Sequence, residues 1–409
     1  MSKKSAVRRI PSAAVDSIRA RISDNIRAAA GNDYRARVQV AVEEMTRLGS
    51  AIQGPEDHLQ VVIWALHALF NVARVGSMNT QEITTLTRIA TLNLKAVQSC
   101  LESGELKSLR RHLALSTSQV HRRFGDGWTA AWELVRVRRM VAGSNGVPGA
   151  HELGLARQLL RLGMVPAAQA ICQDLVKVDL EQKQAIQLRL LMLQIKRISG
   201  DADGMLLLAD QLKTEQPLKS VFASPSNHLE VVQEWEWHIA CASFVLNRDL
   251  MPILKMVGFG GSHCTASYII EAFLWATSFD VRMRRTKLRK MRGLIKDTAL
   301  GAAREGALYK CAVAIENAME QELDVETRAE FVWESVTETS KLQSVEQELL
   351  VLACGSRILR SLHLPDAALL IRARYESLCR SITDGANLDT LGWDRVAKAS
   401  VQSILKKAT

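Results

Sequence analysis

The sequence predicts an all-α protein: a helical N-terminal domain followed by an array of α-helical hairpins. Three observations carry that prediction. Breakers are few, with 8 prolines and 23 glycines in 409 residues. Apolar residues, 47% of the chain, recur at the three- and four-residue spacing of a half-buried helix, and strand-like alternation is scarce. In the second half an apolar helix, a tight turn and an alanine-bearing second helix return repeatedly. The length suffices for two or three domains and a full-sized core.

Residues 1–12 form a basic tail carrying Lys3, Lys4, Arg8 and Arg9. It reads as disordered and suited to non-specific phosphate contact. A basic helical domain follows over 13–142. Its first helix, 13–30, sets Val15, Ile18, Ile22 and Ile26 on one face. Its second, 34–48, turns Val38, Val42 and Met45 inward. Pro55, Glu56 and Asp57 open a third helix reaching residue 74. Proline needs no donor at that position, and acids suit the positive helix end. This helix is apolar on more than one side, which makes it central. A fourth spans 81–101.

The stretch 105–140, ELKSLRRHLALSTSQVHRRFGDGWTAAWELVRVRRM, reads as short helices over 105–113, 117–124 and 128–141. A turn is expected at Leu115 and Ser116, with Ser116 as the cap. The run resembles the second helix-turn-helix of the AraC/XylS family. Ala114 takes the place of the turn glycine, and Ser116, Val120, Arg122 and Phe124 match the motif. Gly127, Thr129, Leu134 and Arg138 follow at the family's spacing. Arg110, Glu133 and Ala130 depart from it, and the family's second motif is missing. The resemblance implies DNA contact. Val120 and Phe124 would anchor a recognition helix, while Ser118, Gln119, His121, Arg122 and Arg123 project toward bases and phosphates. Arg136, Arg138 and Arg139 would add backbone contacts. The other reading makes the same stretch a hairpin with His112 and His121 as ordinary surface residues.

Charge placement agrees with a polyanion partner. Residues 1–140 carry 21 Lys or Arg against 12 Asp or Glu, and the remaining 269 carry 32 against 31. Nearly all of the +10 net charge therefore sits in the first third, which suits nucleic acid or a membrane surface. A solvated basic surface accounts for it equally simply.

The glycine-rich GSNGVPG at 143–149 is the clearest linker, and a domain boundary belongs there. Beyond it, 150–409 reads as a hairpin repeat domain. Residues 152–162 pair with 167–178, and 181–198 with 202–212. RLGMVPAAQAI at 161–171 is echoed by SLHLPDAALLI at 361–371. Paired alanines, Ala167-Ala168 and Ala367-Ala368, let helices approach closely. The pattern looks like tetratricopeptide repeats, although the units are irregular and most signature aromatics are missing. Such repeats imply one long stacked core and a concave binding face. Residues 214–227 form a long connection. In 229–246, Trp235 and Trp237 cannot share a helix face, so one belongs to the core and the other covers a partner or a neighbouring helix.

GFGGSHC at 258–264 lacks a phosphate-loop pattern and reads as a turn. Residues 268–279 form an apolar helix. A second basic patch comprises Arg282, Arg284, Arg285, Lys287, Arg289, Lys290 and Arg292. It suits nucleic acid, an acidic partner, lipid, or only solvent and the acids of 316–338. Residues 343–361 and 366–381 make the last clear hairpin, and 393–407 a capping helix.

The seven cysteines are scattered, with no CxxC pair, and imply buried thiols in a reducing compartment. No signal peptide and no transmembrane segment is evident, so a cytoplasmic protein is expected. No metal-ligand spacing, cofactor motif or catalytic constellation emerges. The expected function is a DNA-binding transcriptional regulator. Its partners would be double-stranded DNA and a protein, peptide or small ligand held by residues 150–381, and paired half-sites imply a homodimer. The alternative is a non-enzymatic helical adaptor that binds a protein partner without touching DNA.

Overall fold

The structure is a computed structural model. It describes residues 12–28, 34–49, 54–75, 80–102, 107–123, 127–141, 149–215, 225–247, 274, 303–339, 342 and 344–383. Several expectations lie outside these residues: the basic tail through residue 11, most of the 143–149 linker, the middle of the 214–227 connection, the 258–264 turn, the 268–279 helix apart from Leu274, the 282–292 basic patch and the 393–407 capping helix. The described residues are all-α and contain no strand. The described residues divide into two compact units, the first ending with residue 123 and the second running from 127 to 383.

The first unit contains α1 (Ser12–Ala28), α2 (Tyr34–Gly49), α3 (Pro55–Val75), α4 (Thr80–Glu102) and α5 (Lys107–Arg123). Helix α3 packs against the other four. Its six consecutive residues from Val61 to Leu66 are all buried, which matches its being apolar on more than one side. Ile18, Ile22 and Ile26 of α1 meet Val38, Ala41 and Met45 of α2 in this core. Each of the isoleucines, the valine and the methionine contributes roughly 1.5–3 kcal/mol by leaving water. Two ion pairs staple α1 to its neighbours: Arg19 with Asp57 in the first turn of α3, and Arg21 with Glu44 at 3.0 Å. At the α3–α4 seam the Asn93 amide donates to Ile89 O at 2.8 Å. That leaves its Oδ1 to accept from His58 Nδ1 at 2.7 Å.

The expected turn at Leu115 and Ser116 is not there. Helix α5 runs unbroken from Lys107 to Arg123, with neither glycine nor proline inside it. Ser116 caps nothing. Its hydroxyl donates back to His112 O at 2.9 Å, inside its own helix. It lies 2.8 Å from His67 Nε2, from which it therefore accepts. Burial, and next the neighbouring His112, hold His67 below the ordinary histidine range, so it serves as a neutral donor.

The second unit begins with α6 (Gly127–Val141), which packs on α7 (Ala150–Arg161). Then come α8 (Val165–Val176), α9 (Gln182–Ile198), α10 (Ala202–Glu215), α11 (Pro225–Asn247), α12 (Ala303–Ala318), α13 (Val325–Glu338), α14 (Val345–Ser361) and α15 (Pro365–Thr383). Hairpins form between α7 and α8, α9 and α10, α12 and α13, and α14 and α15. Three turns share one geometry. The N–H of Gly163, Gly200 and His363 reaches back to the carbonyl of Leu160, Arg197 and Arg360, respectively. The next N–H, of Met164, Asp201 and Leu364, reaches Leu159, Lys196 and Leu359. This is the Schellman closure, and it needs a positive φ at its first residue. The values are +81° at Gly163, +76° at Gly200 and +61° at His363. The echo between 161–171 and 361–371 is thus a repeated turn, with Ala168 and Ala368 fully buried in equivalent places.

Among its described residues the array shows a larger and a smaller buried cluster. Trp237 and Cys241 of α11 join α12 and α14 in the larger one. Ile186, Leu190 and Leu193 of α9 meet Met205 and Ala209 of α10 in the smaller. The two tryptophans part as their spacing requires. Trp237 is in the core, while half-buried Trp235 covers α10 and donates to Ala209 O at 3.4 Å.

Candidate functional site

Most of the residues expected to meet DNA have partners within the protein. On α5, Ser118 and His121 are buried, Gln119 is exposed and Arg122 half-buried. Ser118, His121 and Arg122 all have intramolecular partners. Arg123 closes the helix. On α6, Arg136 donates to both oxygens of buried Glu133 at 2.9 Å. Arg138 faces Glu152 and Asp174 at 3.8 and 3.9 Å. The Arg139 guanidinium sits 5.6 Å from the Trp132 ring. A recognition helix needs an exposed polar face beyond a turn. Here α5 runs through the expected turn without a break, and its Ser116, Thr117, Ser118 and His121 are buried in its own fold.

Within the array, a polar junction ties early helices to a late one. Arg197 on α9 pairs with Glu346 at the start of α14, and Gln194 donates to the other carboxylate oxygen at 3.2 Å. Arg197 Nε also donates to His238 Nδ1 on α11 at 3.2 Å, and its guanidinium lies 5.9 Å from the Trp237 ring. Burial first, then the charges of Arg197 and Arg157, hold His238 well below its ordinary value. It is therefore a neutral acceptor toward Arg197. Beside this junction Gly163 leaves room for Val345, whose Cγ2 would stand 3.0 Å from an added Cβ.

The last hairpin carries a groove of about 440 Å³ between α14 and α15. Its floor includes buried Leu352. Arg357 and Arg360 line it from α14, and Arg372, Tyr375 and Glu376 from α15. Arg372 Nε donates to Glu376 at 2.8 Å. Arg374, farther along α15, holds Glu348 of α14 at 3.0 Å and closes the hairpin. Burial, and then Cys379, push the Tyr375 hydroxyl above its ordinary range, so it stays a neutral donor and acceptor at physiological pH. The volume falls within the roughly 300–1,000 Å³ of ligand clefts.

Other chemistry is sparse among the described residues. No group of three or more His, Cys, Asp or Glu is placed to hold a metal ion. Buried Cys311 and Cys354 donate to the carbonyls of Ser335 and Leu274 at 3.3 and 2.8 Å. Burial pushes the Cys172 thiol up to about 12, far from thiolate reactivity. No helix among them is long and apolar enough to cross a membrane.

The fold defines a class: an array of tetratricopeptide-like helical repeats. No family model matches the chain, and no curated protein does. Among solved structures, it is similar to a Rap protein complexed with Competence and Sporulation Factor. The TM-score is 0.59 at 8% identity, and the match covers 91% of this chain and 100% of that one. The likeness extends across nearly the whole chain to a helical-repeat fold. It gives no support to an AraC/XylS-type arrangement, and the DNA-binding regulator reading is overturned with it.

Sequence reasoning did not single out Arg357, Arg360, Arg372 and Tyr375. The signal was present in their spacing. Arg357 and Arg360 stand three apart on α14, as Arg372 and Tyr375 do on α15, so each pair shares a helix face. Which faces meet across a groove depends on the hairpin's packing.

Proposed function

We propose that this chain is a non-enzymatic helical-repeat module that binds a peptide or protein partner through its array, residues 150–381. The observation that carries this reading is the fold shared over nearly the whole chain with a Rap protein whose structure holds Competence and Sporulation Factor. Physical reasoning supports it. A hairpin cannot bury its apolar stripe alone, so stacked hairpins leave a long, repeated surface free for a partner chain. The homodimer expected for paired DNA half-sites loses its reason along with the DNA reading.

Random-peptide display against the full chain tests the proposal, with each enriched sequence remeasured by fluorescence anisotropy. The expected result is enrichment of peptides that bind at micromolar concentrations or tighter and lose binding when array surface residues are changed. Failure to enrich any peptide, or binding indifferent to every array substitution, would contradict it.

A further inference from the structure

Helix α13 turns one face into the array and leaves the other bare. Phe331, Val332 and Val336 join the larger buried cluster with α12 and α14. The opposite face sets Trp333 among Glu326, Glu330 and Glu334, and all four are exposed. Trp333 keeps 38% of its surface accessible, so the indole itself is open to a partner. Among the described residues, none of the three glutamates makes an ion pair. Acids elsewhere in the array are engaged: Glu346 by Arg197, Glu348 by Arg374 and Glu376 by Arg372. The arginine of α13, half-buried Arg328, donates to Ala318 O at 2.9 Å, away from this face. Like charges four residues apart weaken a helix, so the stripe costs the free protein stability that a cationic partner restores.

We infer that the outer face of α13 is the docking site for an arginine-rich segment of a partner protein, extended and carrying arginine at every second position. The inference rests on the partner-binding reading of the array and names the partner's chemistry. Glutamates four apart on a helix rise by about 6 Å per step. Alternate side chains of an extended chain stand about 6.6–6.8 Å apart, so successive guanidiniums can meet successive carboxylates. Arginine suits both parts of the face. Its planar fork pairs a carboxylate through two parallel hydrogen bonds, and the same plane stacks on an indole. Lysine presents a point charge without that fork. Phosphate backbones and anionic lipids are repelled by these carboxylates. An open indole beside unpaired carboxylates therefore selects a cationic peptide chain.

The test uses the full chain and a fluorescein-labelled hexapeptide of alternating arginine and serine, read by anisotropy over a salt series. Saturable binding is expected, weakening with salt because exposed ion pairs are screened. Trp333→Ala lowers affinity about fivefold, and Glu330→Gln combined with Glu334→Gln lowers it about tenfold. The helical circular dichroism stays unchanged, because all three side chains are exposed and removing like charges relieves the helix. Glu43→Gln combined with Glu56→Gln removes two exposed acids of the first unit and leaves binding as it was. Replacing the probe's arginines with lysine weakens it, a change that cannot unfold the protein. The inference is overturned by no binding of the arginine probe, by indifference to Trp333→Ala or to the Glu330 and Glu334 pair, or by equal binding of the lysine probe. An equal loss with the Glu43 and Glu56 pair would overturn it too, since net charge alone would then be read. So would dimerisation in sedimentation that Trp333→Ala abolishes, because the face would then meet a second copy. The broader reading fails differently, by display enriching no peptide at all. If enriched peptides lack arginine, or their binding ignores Trp333→Ala and is lost on other array substitutions, the array still binds a partner and only this face is wrongly assigned.

Discussion

At the scale of single residues, backbone sign and buried charge decide the outcome. Gly163 and His363 occupy equivalent turns with φ of +81° and +61°. Glycine adopts that region without cost, whereas an L side chain does not. Gly163→Ala adds both a strained φ and a Cβ that would stand 3.0 Å from Val345 Cγ2, so a loss of about 2 kcal/mol is expected. His363→Gly goes the other way and gains roughly 0.5–1 kcal/mol. Urea midpoints of the two variants measure both signs, and equal signs would refute the shared geometry. Glu133 offers a pH test. Burial raises its carboxyl to about 7, against the pull of Arg136. A carboxyl raised on folding contributes most below its unfolded value and loses that contribution as pH rises through the folded one. Glu133→Gln is therefore expected to gain on the wild type between pH 4.5 and 7 and to keep its lead at pH 8. A pH-independent difference in unfolding free energy would contradict this.

At the scale of elements, the helices were legible where local chemistry alone decides them. Pro55 with Glu56 and Asp57 starts α3 where expected, and the 161–171 and 361–371 echo marks two real turns. The error came at α5. Its text, KSLRRHLALSTSQVHRR, contains no breaker, and the turn expected at Leu115 and Ser116 rested on Ser116 as a cap between two short helices. A serine that caps one helix and a serine that bonds back within another look alike in sequence. Burial of His67, His121 and His238 was equally hidden, since it depends on which helices meet. Leu115→Pro distinguishes the two descriptions. A turn would tolerate it, whereas the continuous helix loses a hydrogen bond and about 3 kcal/mol. Reduced ellipticity with an early urea transition is the expected result.

At the scale of the whole molecule, the charge asymmetry was legible but its meaning was not. Several basic side chains of that first third pair with the chain's own acids, Arg19 with Asp57, Arg21 with Glu44, Arg136 with Glu133 and Arg138 with Glu152, and of these acids only Glu152 lies beyond residue 140 and draws on the surplus itself. Within the array, the Arg197–Glu346 pair joins helices distant in sequence, with Arg197 only 8% exposed. Glu346→Ala strands that guanidinium and is expected to cost about 3 kcal/mol, read as a lower thermal midpoint. The central claim is that the array, and not the 105–140 stretch, meets the partner. Hydrogen–deuterium exchange of the full chain with and without a display-enriched peptide tests it most directly. The account predicts new protection on helices of 150–381, with α5 unchanged. Protection confined to residues 107–141, or appearing only when duplex DNA is added, would contradict it.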